Sequence, residues 1–326
     1  MRALVTGGNG FIGSFLAESL LEKGFEVRCL VRETSNLRWL EHKPVHLAYG
    51  DLSNRDSLEK AVHAVDYVFH LAGRTKTRLP QEYFEANTDG TENLLKACES
   101  TCPKLSKFIF VSSLAAAGPC SSRTALTEDA DPHPITPYGA SKLAAENIVG
   151  KFGALFPVTI VRPPAVYGPR DTDVFELFKT VKLGLNPKLT GGDRYTNFIH
   201  VFDLVRALIC VAENPRSAGE LYFATGDGQF AWGDVVNTIA QAMHRHPIQI
   251  TIPAFVLNVI ARFNELFARL TGKIATVNRY KVLEMKQHYW LCDNAKIRRE
   301  LGFKPNISLE DGTHQTLEWY RQQRWL

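Results

Sequence analysis

An α/β fold built on a Rossmann-type, doubly wound parallel sheet with a smaller C-terminal α/β substrate lobe is what this sequence predicts. Three observations predict it. Short β-rich runs alternate with helical ones through the first half, a glycine-rich turn separates the first strand from the first helix, and the rhythm loosens after Arg162. Parallel strands need crossovers of a dozen or more residues, usually helical, so the alternation implies a parallel sheet covered on both faces.

Taken in order, strands are expected at Arg2–Thr6, Glu26–Val31, Val45–Tyr49, Tyr67–His70, Lys107–Ser112 and Val158–Arg162. Helical spacing of apolar residues falls between them, over Phe11–Lys23, Asp56–His63, Tyr83–Ser100 and Tyr138–Phe152. Residues 1–165 are read as a dinucleotide-binding domain to which later segments can return, and residues 166–326 as mainly a substrate lobe. The second part is punctuated by Pro163-Pro164, Gly168-Pro169 and Gly191-Gly192, which break the alternation. From Ile252 to Leu270 the residues Val256, Val259, Ile260, Phe263, Leu266, Phe267 and Leu270 keep an amphipathic helical spacing, with Arg262, Glu265 and Arg269 elsewhere. Packing on its own lobe is the expected fate of that stripe. A cover over an apolar substrate pocket, or a peripheral contact with a membrane, is the sharper alternative.

Composition narrows the function classes. The chain has 326 residues, 45% of them apolar, and 38 Lys+Arg against 34 Asp+Glu give a formal charge of +4. No run of five like charges resembles a nucleic-acid arm, so nucleic acid is not an expected partner. The N-terminus enters its first strand at once, without the charged and apolar regions of a signal peptide, and no stretch of about 18 uninterrupted apolar residues suggests a transmembrane helix. Six scattered cysteines are unlike a secreted disulfide framework. Cys98 and Cys102 lie four apart in a helical segment and are read as half-buried thiols. A reducing, cytoplasmic setting and no metal site are expected.

The chemistry-bearing residues lie where strands end. Gly7 permits a tight turn after the first strand, Gly10 lets the backbone approach a pyrophosphate, and Gly13 lets helix and strand pack closely. The backbone N–H groups at Phe11 and Ile12 then open the first helix toward the anion. Arg32, at the end of the second strand, replaces the acidic residue that usually holds a ribose 2′-hydroxyl and suits a 2′-phosphate, so NADP is preferred over NAD, although Glu33 beside it leaves the hydroxyl served. Asp51 and Leu52 end the third strand, and Leu71, Ala72 and Gly73 follow the fourth, along the crest where a dinucleotide runs. Tyr138 and Lys142 are one helical turn apart, and Ser113 follows the fifth strand. A phenol to move a proton, a hydroxyl to hold the substrate oxygen, and an ammonium to bias the phenol and bind ribose suit hydride transfer between a carbinol and a nicotinamide.

Together these residues resemble the extended short-chain dehydrogenase/reductases, also called the NAD-dependent epimerase/dehydratase family. The resemblance also takes in Asn87-Thr88-Asp89-Gly90-Thr91, Arg162 to Pro169, Asn197 to Leu204, and Asp293 to Lys296 with Glu300 to Pro305. It implies a Rossmann domain with a C-terminal substrate lobe, frequent homodimers, and Asn87 as a further cofactor-site residue. Members that dehydrate nucleotide sugars carry an acidic pair after the catalytic Ser or Thr, where this chain has Leu114-Ala115. Sugar-nucleotide epimerases often carry Asn where Ala165 stands and Arg where Thr196 stands, leaving Arg170 and Arg194 as the remaining candidates for a diphosphate. Val31-Arg32, Arg162 to Asp171 and the apolar helix before Thr271-Gly272-Lys273 are more similar to the 3β-hydroxysteroid dehydrogenase and dihydroflavonol reductase branch. The expectation is an oxidoreductase of a secondary alcohol or ketone on a sterol-like or other hydrophobic small molecule. The alternatives are a nucleotide-sugar epimerase with tightly bound NAD and a non-catalytic dinucleotide-binding protein.

Overall fold

The computed structural model describes residues 1–326 apart from Lys273, Thr276 and Val277 and the side chains of Arg269 and Leu270. The sequence readings that used Arg269, Leu270 and Lys273 therefore fall outside the described residues. The first half runs β1 (Arg2–Thr6), α1 (Phe11–Glu22), β2 (Glu26–Val31), β3 (His46–Tyr49), α2 (Arg55–Val62), β4 (Tyr67–His70), α3 (Gln81–Phe84), α4 (Gly90–Thr101), β5 (Lys107–Val111), α5 (Leu114–Ala117), α6 (Pro137–Phe152) and β6 (Val158–Arg162). Strand positions agree with the sequence reading to within a residue. The helix expected over Tyr83–Ser100 is instead α3 and α4 joined by a π-helical turn at Glu85–Asp89. An i→i+5 turn takes one extra residue, which hydrophobic spacing does not register.

The second half runs β7 (Ala165–Tyr167), α7 (Phe175–Lys182), β8 (Leu185–Leu189), β9 (Tyr195–Thr196), β10 (Phe198–His200), α8 (Val201–Glu213), β11 (Leu221–Phe223), β12 (Phe230–Ala231), α9 (Trp232–Ala242), β13 (Ile248–Ile252), α10 (Ala254–Thr271), α11 (Arg279–Lys286), β14 (Tyr289–Trp290), α12 (Ala295–Leu301) and α13 (Leu309–Gln322). The main sheet has seven strands in the order β11-β6-β5-β4-β1-β2-β3, and each of its pairings is parallel. Its seventh strand comes from the second half, because β11 pairs with β6 through Leu221 opposite Ile160.

Alternation along the strands sorts the core into two layers. Ala3, Val5, Val27, Cys29 and Val31 face α1 and α8, while Leu4, Leu30, Val68 and Phe108 face α2, α4 and α6. Chain order reverses between β1 and β4, so the crevice at their carboxyl ends is the switch point where such sheets bind ligands. The smaller lobe adds the parallel pairs β7–β10 and β8–β13 and a three-stranded sheet β12-β9-β14. All six cysteines are free, and Cys98 and Cys102 are fully buried rather than half-buried. Among the described residues no cluster of metal-ligating side chains forms, and no helix is long and apolar enough to cross a membrane.

Candidate active site

The crevice starts at the glycine turn. Gly7 has φ +72°, a conformation open to glycine, and a Cβ there would sit 3.0 Å from the Ala72 nitrogen, so a side chain would be both strained and crowded against the loop after β4. A Cβ on Gly13 would lie 2.2 Å from the Gly7 carbonyl oxygen, which brings α1 hard against the turn. Gly10 precedes α1 and no side chain caps that end, nor does any acidic residue occupy the first turn. The amide groups around Phe11 and Ile12 are therefore free of a competing carboxylate at the positive end of the helix. This cradle of small residues and open amides fits a dinucleotide pyrophosphate.

Further along the crest, Arg32 is exposed where β2 ends. Asp51 follows β3, its carboxyl held below the usual range first by the backbone and hydroxyl of Ser53, with Arg32 and Arg74 adding positive charge. Leu52, Leu71 and Ala72 are half-buried along the same edge, and Gly73 is exposed. The Thr6 hydroxyl ties the loop down by accepting the Ala72 N–H at 3.1 Å. It donates in turn to Nδ1 of the buried His70, whose Nε2 donates to Thr91, since the Thr91 hydroxyl is spent on the Asn87 carbonyl. Burial, helped by the Lys142 charge, pushes His70 down to about 3, so this imidazole is neutral and serves as a rigid strut.

Asn87 is placed in the π-helical turn, and its side chain is spent within the protein. Its oxygen accepts the Arg74 N–H at 2.7 Å, and its amide donates to the Arg74 carbonyl and the Ser141 hydroxyl. It positions the loop after β4 against α6 and acts on any cofactor through that loop.

Three features bring Ser113 and Tyr138 together. Ser113 follows β5 and its hydroxyl caps the short α5 by accepting the Ala115 N–H. Thr136 caps α6, and Pro137 at the first helical position fixes the entry, so Tyr138 lies in the first turn. Gly139 lets α6 meet α5, because a Cβ there would be 2.2 Å from the Ala115 carbonyl oxygen. Burial raises the Tyr138 phenol to about 12. The Ser113 hydroxyl pulls it down, and Glu284 and Tyr83 raise it further.

Lys142 lies one turn deeper, 5% exposed, and its ammonium donates to the Val111 carbonyl at 2.7 Å. Burial lowers it to about 8, opposed by Glu146. The expected bias of Lys142 on the phenol is not seen, because the charge is turned to the β5 backbone instead. One more turn along α6, Glu146 accepts Nε and Nη2 of Arg162 at 2.9 and 2.5 Å and also the Ser112 hydroxyl, fastening α6 to β5 and β6. The sequence reading missed Glu146, though its spacing of four from Lys142 places it on the same face. It also missed Tyr83, whose ring centroid is 6.0 Å from that of Tyr138, and Glu284 of α11, which no local pattern connects to the site.

The model of the NAD-dependent epimerase/dehydratase family matches residues 3–224, which contain the glycine turn, the loops after β2 to β4 and the Ser113, Tyr138 and Lys142 set. The chain belongs to that family. As an extended short-chain dehydrogenase/reductase it is an NAD(P)-dependent enzyme of the oxidoreductase and epimerase type. It is similar over 99% of its length to a ceramide reductase of Caulobacter vibrioides, 29% identical across 95% of that protein. It is also similar over 98% of its length to a UDP-glucose 4-epimerase of Vibrio cholerae, 26% identical across 95% of that protein. Its fold matches the structure of a UDP-glucose 4-epimerase from Thermotoga maritima with a TM-score of 0.83, 23% identity, and 99% and 100% of the two chains covered.

Proposed function

We propose that this family member reduces a ketone, or oxidises the matching secondary alcohol, on a sterol-like or otherwise hydrophobic molecule, with NADP(H) as the preferred cofactor. One observation carries the substrate class, namely where Arg170 and Arg194 point. Arg194 donates to the backbone carbonyls of Met285, Leu189, Gly192 and Thr190, fastening the loop between β8 and β9. Arg170 donates to Ser14 and Glu18 of α1 and lies 3.9 Å over the Phe15 ring. The two cations left to meet a sugar diphosphate are thus spent inside the protein, which favours an uncharged substrate. Leu114-Ala115 likewise supplies no acid and base for a dehydration.

A bound nicotinamide would exchange a hydride with the substrate carbon. Tyr138 holds the proton. With its pKa near 12 the phenol is protonated at neutral pH, so it hands H⁺ to a ketone oxygen more readily than it removes one from an alcohol. Ser113 orients that oxygen, and Lys142 and Asn87 fix α6 and the loop after β4 around it. Arg32, exposed where β2 ends, supports the choice of a 2′-phosphate.

The test is a panel of sterol, long-chain amino-ketone, flavonoid-like and UDP-sugar substrates, read by NADPH absorbance and product mass. Consumption of NADPH with an apolar ketone is expected, and Tyr138→Phe is expected to cut kcat by about 10²–10⁴-fold while leaving cofactor affinity nearly unchanged. Interconversion of UDP-sugars on stoichiometrically retained NAD, with no net redox change, overturns the reading. Arg32→Asp is expected to weaken NADPH by about 10–100-fold and NADH far less, from the loss of charge-assisted bonds. Equal losses remove the 2′-phosphate role.

A further inference from the structure

The hairpin of α10 and α11 carries its apolar side outward. Phe255, Val259, Phe263, Leu266 and Phe267 share one face of α10, and each is 46–68% exposed. Among the described residues the inward face contributes Leu257 and Ala261, which close a small core with Val282 of α11, Leu189 and Ile252. The stripe that the sequence would bury on its own lobe is therefore the stripe that the lobe leaves bare. A contiguous exposed apolar face of this kind marks an interaction surface.

Charge selects what covers it. Residues 245–290 contain seven Lys or Arg against only Glu265 and Glu284, a net +5 in a chain whose total is +4, so the remainder is slightly negative. Both acids are engaged within the hairpin: Glu265 accepts the Arg279 N–H at 2.8 Å, and Glu284 pairs with Lys281 at 3.3 Å. Arg262 is exposed at the edge of the apolar face. A second copy of this chain, meeting the same surface about a two-fold axis, would set one net-positive segment against another. An anionic lipid surface satisfies both parts, taking the apolar side chains into the acyl boundary and attracting the segment's net positive charge, Arg262 included, to its headgroups. α10 is about 27 Å long at 1.5 Å per residue and is not apolar enough to span, so it would lie in the plane of the interface.

We propose that α10 seats this enzyme on an anionic lipid surface. The other side of the hairpin lies toward the loop after β4, because a Cβ on Gly272 would stand 3.8 Å from the Arg78 guanidinium, and the Glu284 charge raises the phenols of Tyr83 and Tyr138. Seating on lipid thus brings the loop after β4, at the edge of the crevice, toward the bilayer, where an apolar substrate resides. That last step rests on the proposed ketone chemistry, whereas the seating does not.

The experiment is flotation of the full chain with phosphatidylcholine vesicles, with and without phosphatidylglycerol. Binding to the anionic vesicles, weakened by salt, is expected. The double variant Phe263→Asp/Phe267→Asp is expected to lower partitioning about tenfold or more while keeping the circular dichroism and melting temperature of the parent. Phe255→Ser, one end of the same face, gives an independent reading should the double variant fail to fold. Three outcomes overturn the proposal: no partitioning into either vesicle, partitioning that the variants leave unchanged, or a dimer in sedimentation that the same substitutions dissociate. Turnover of a water-soluble ketone, measured without vesicles, tests the catalytic reading separately.

Discussion

α8 and α10 are both amphipathic, and they meet opposite fates. α8 presses Val201, Leu204, Val205, Leu208 and Ile209 onto the sheet beside α1, each nearly inaccessible to solvent. α10 buries Leu257 and Ala261 and leaves its phenylalanines in the open. The spacing of apolar residues tells that a helix has a greasy side, but what lies opposite that side decides whether it is core or surface. Next to the wide parallel sheet every such face finds a partner. Beside the short β8–β13 pair there is too little apolar surface to cover an eighteen-residue helix.

Substitutions on the two sides sharpen this contrast. Glu146→Ala is expected to cost about 3–5 kcal/mol, seen as a fall in the urea midpoint, because it leaves the Arg162 guanidinium buried and unpaired. A loss near zero would mean that the pair contributes nothing to holding α6 against the sheet. Leu208→Ala is expected to cost about 2–5 kcal/mol by leaving a cavity, while Phe263→Ala stays within about 0.5 kcal/mol. Equal costs would abolish the distinction between the two helices. Acidification gives a smaller effect per step. His70 is lowered to about 3 from its ordinary 6.5, so the unfolded chain binds the proton first, and stability complete above pH 6.5 falls as the pH drops toward 3. The slope from this one group is about 1.4 kcal/mol per pH unit. His70→Gln should flatten that part of the melting profile, and an unchanged profile would remove the strut role.

Much of the crevice was legible because its signals are local. A glycine triplet after the first strand, a Ser after the fifth and a Tyr and Lys one turn apart each need only a few neighbouring residues to be read. The glycine contacts at Gly7, Gly13 and Gly139 are the physical reason those residues are small. What escaped was non-local. The π-helical turn changes phase without changing pattern, the Glu146–Arg162 pair joins a helix to a strand, and the Glu284 charge raises the Tyr138 phenol from a distant part of the chain. Lys142 was found by spacing, but its partner, a carbonyl on β5, is fixed only by tertiary packing.

The borrowed seventh strand has a consequence for biogenesis. Residues 163–220 separate β6 from its outer neighbour β11, so β6 leaves the ribosome about 3–12 s before that neighbour at ordinary rates of synthesis. During that time the nascent nucleotide half exposes an unsatisfied strand border to every other chain nearby. Ala165 to Glu220 is therefore the stretch in which a translational pause or a slow codon would do the most harm to yield.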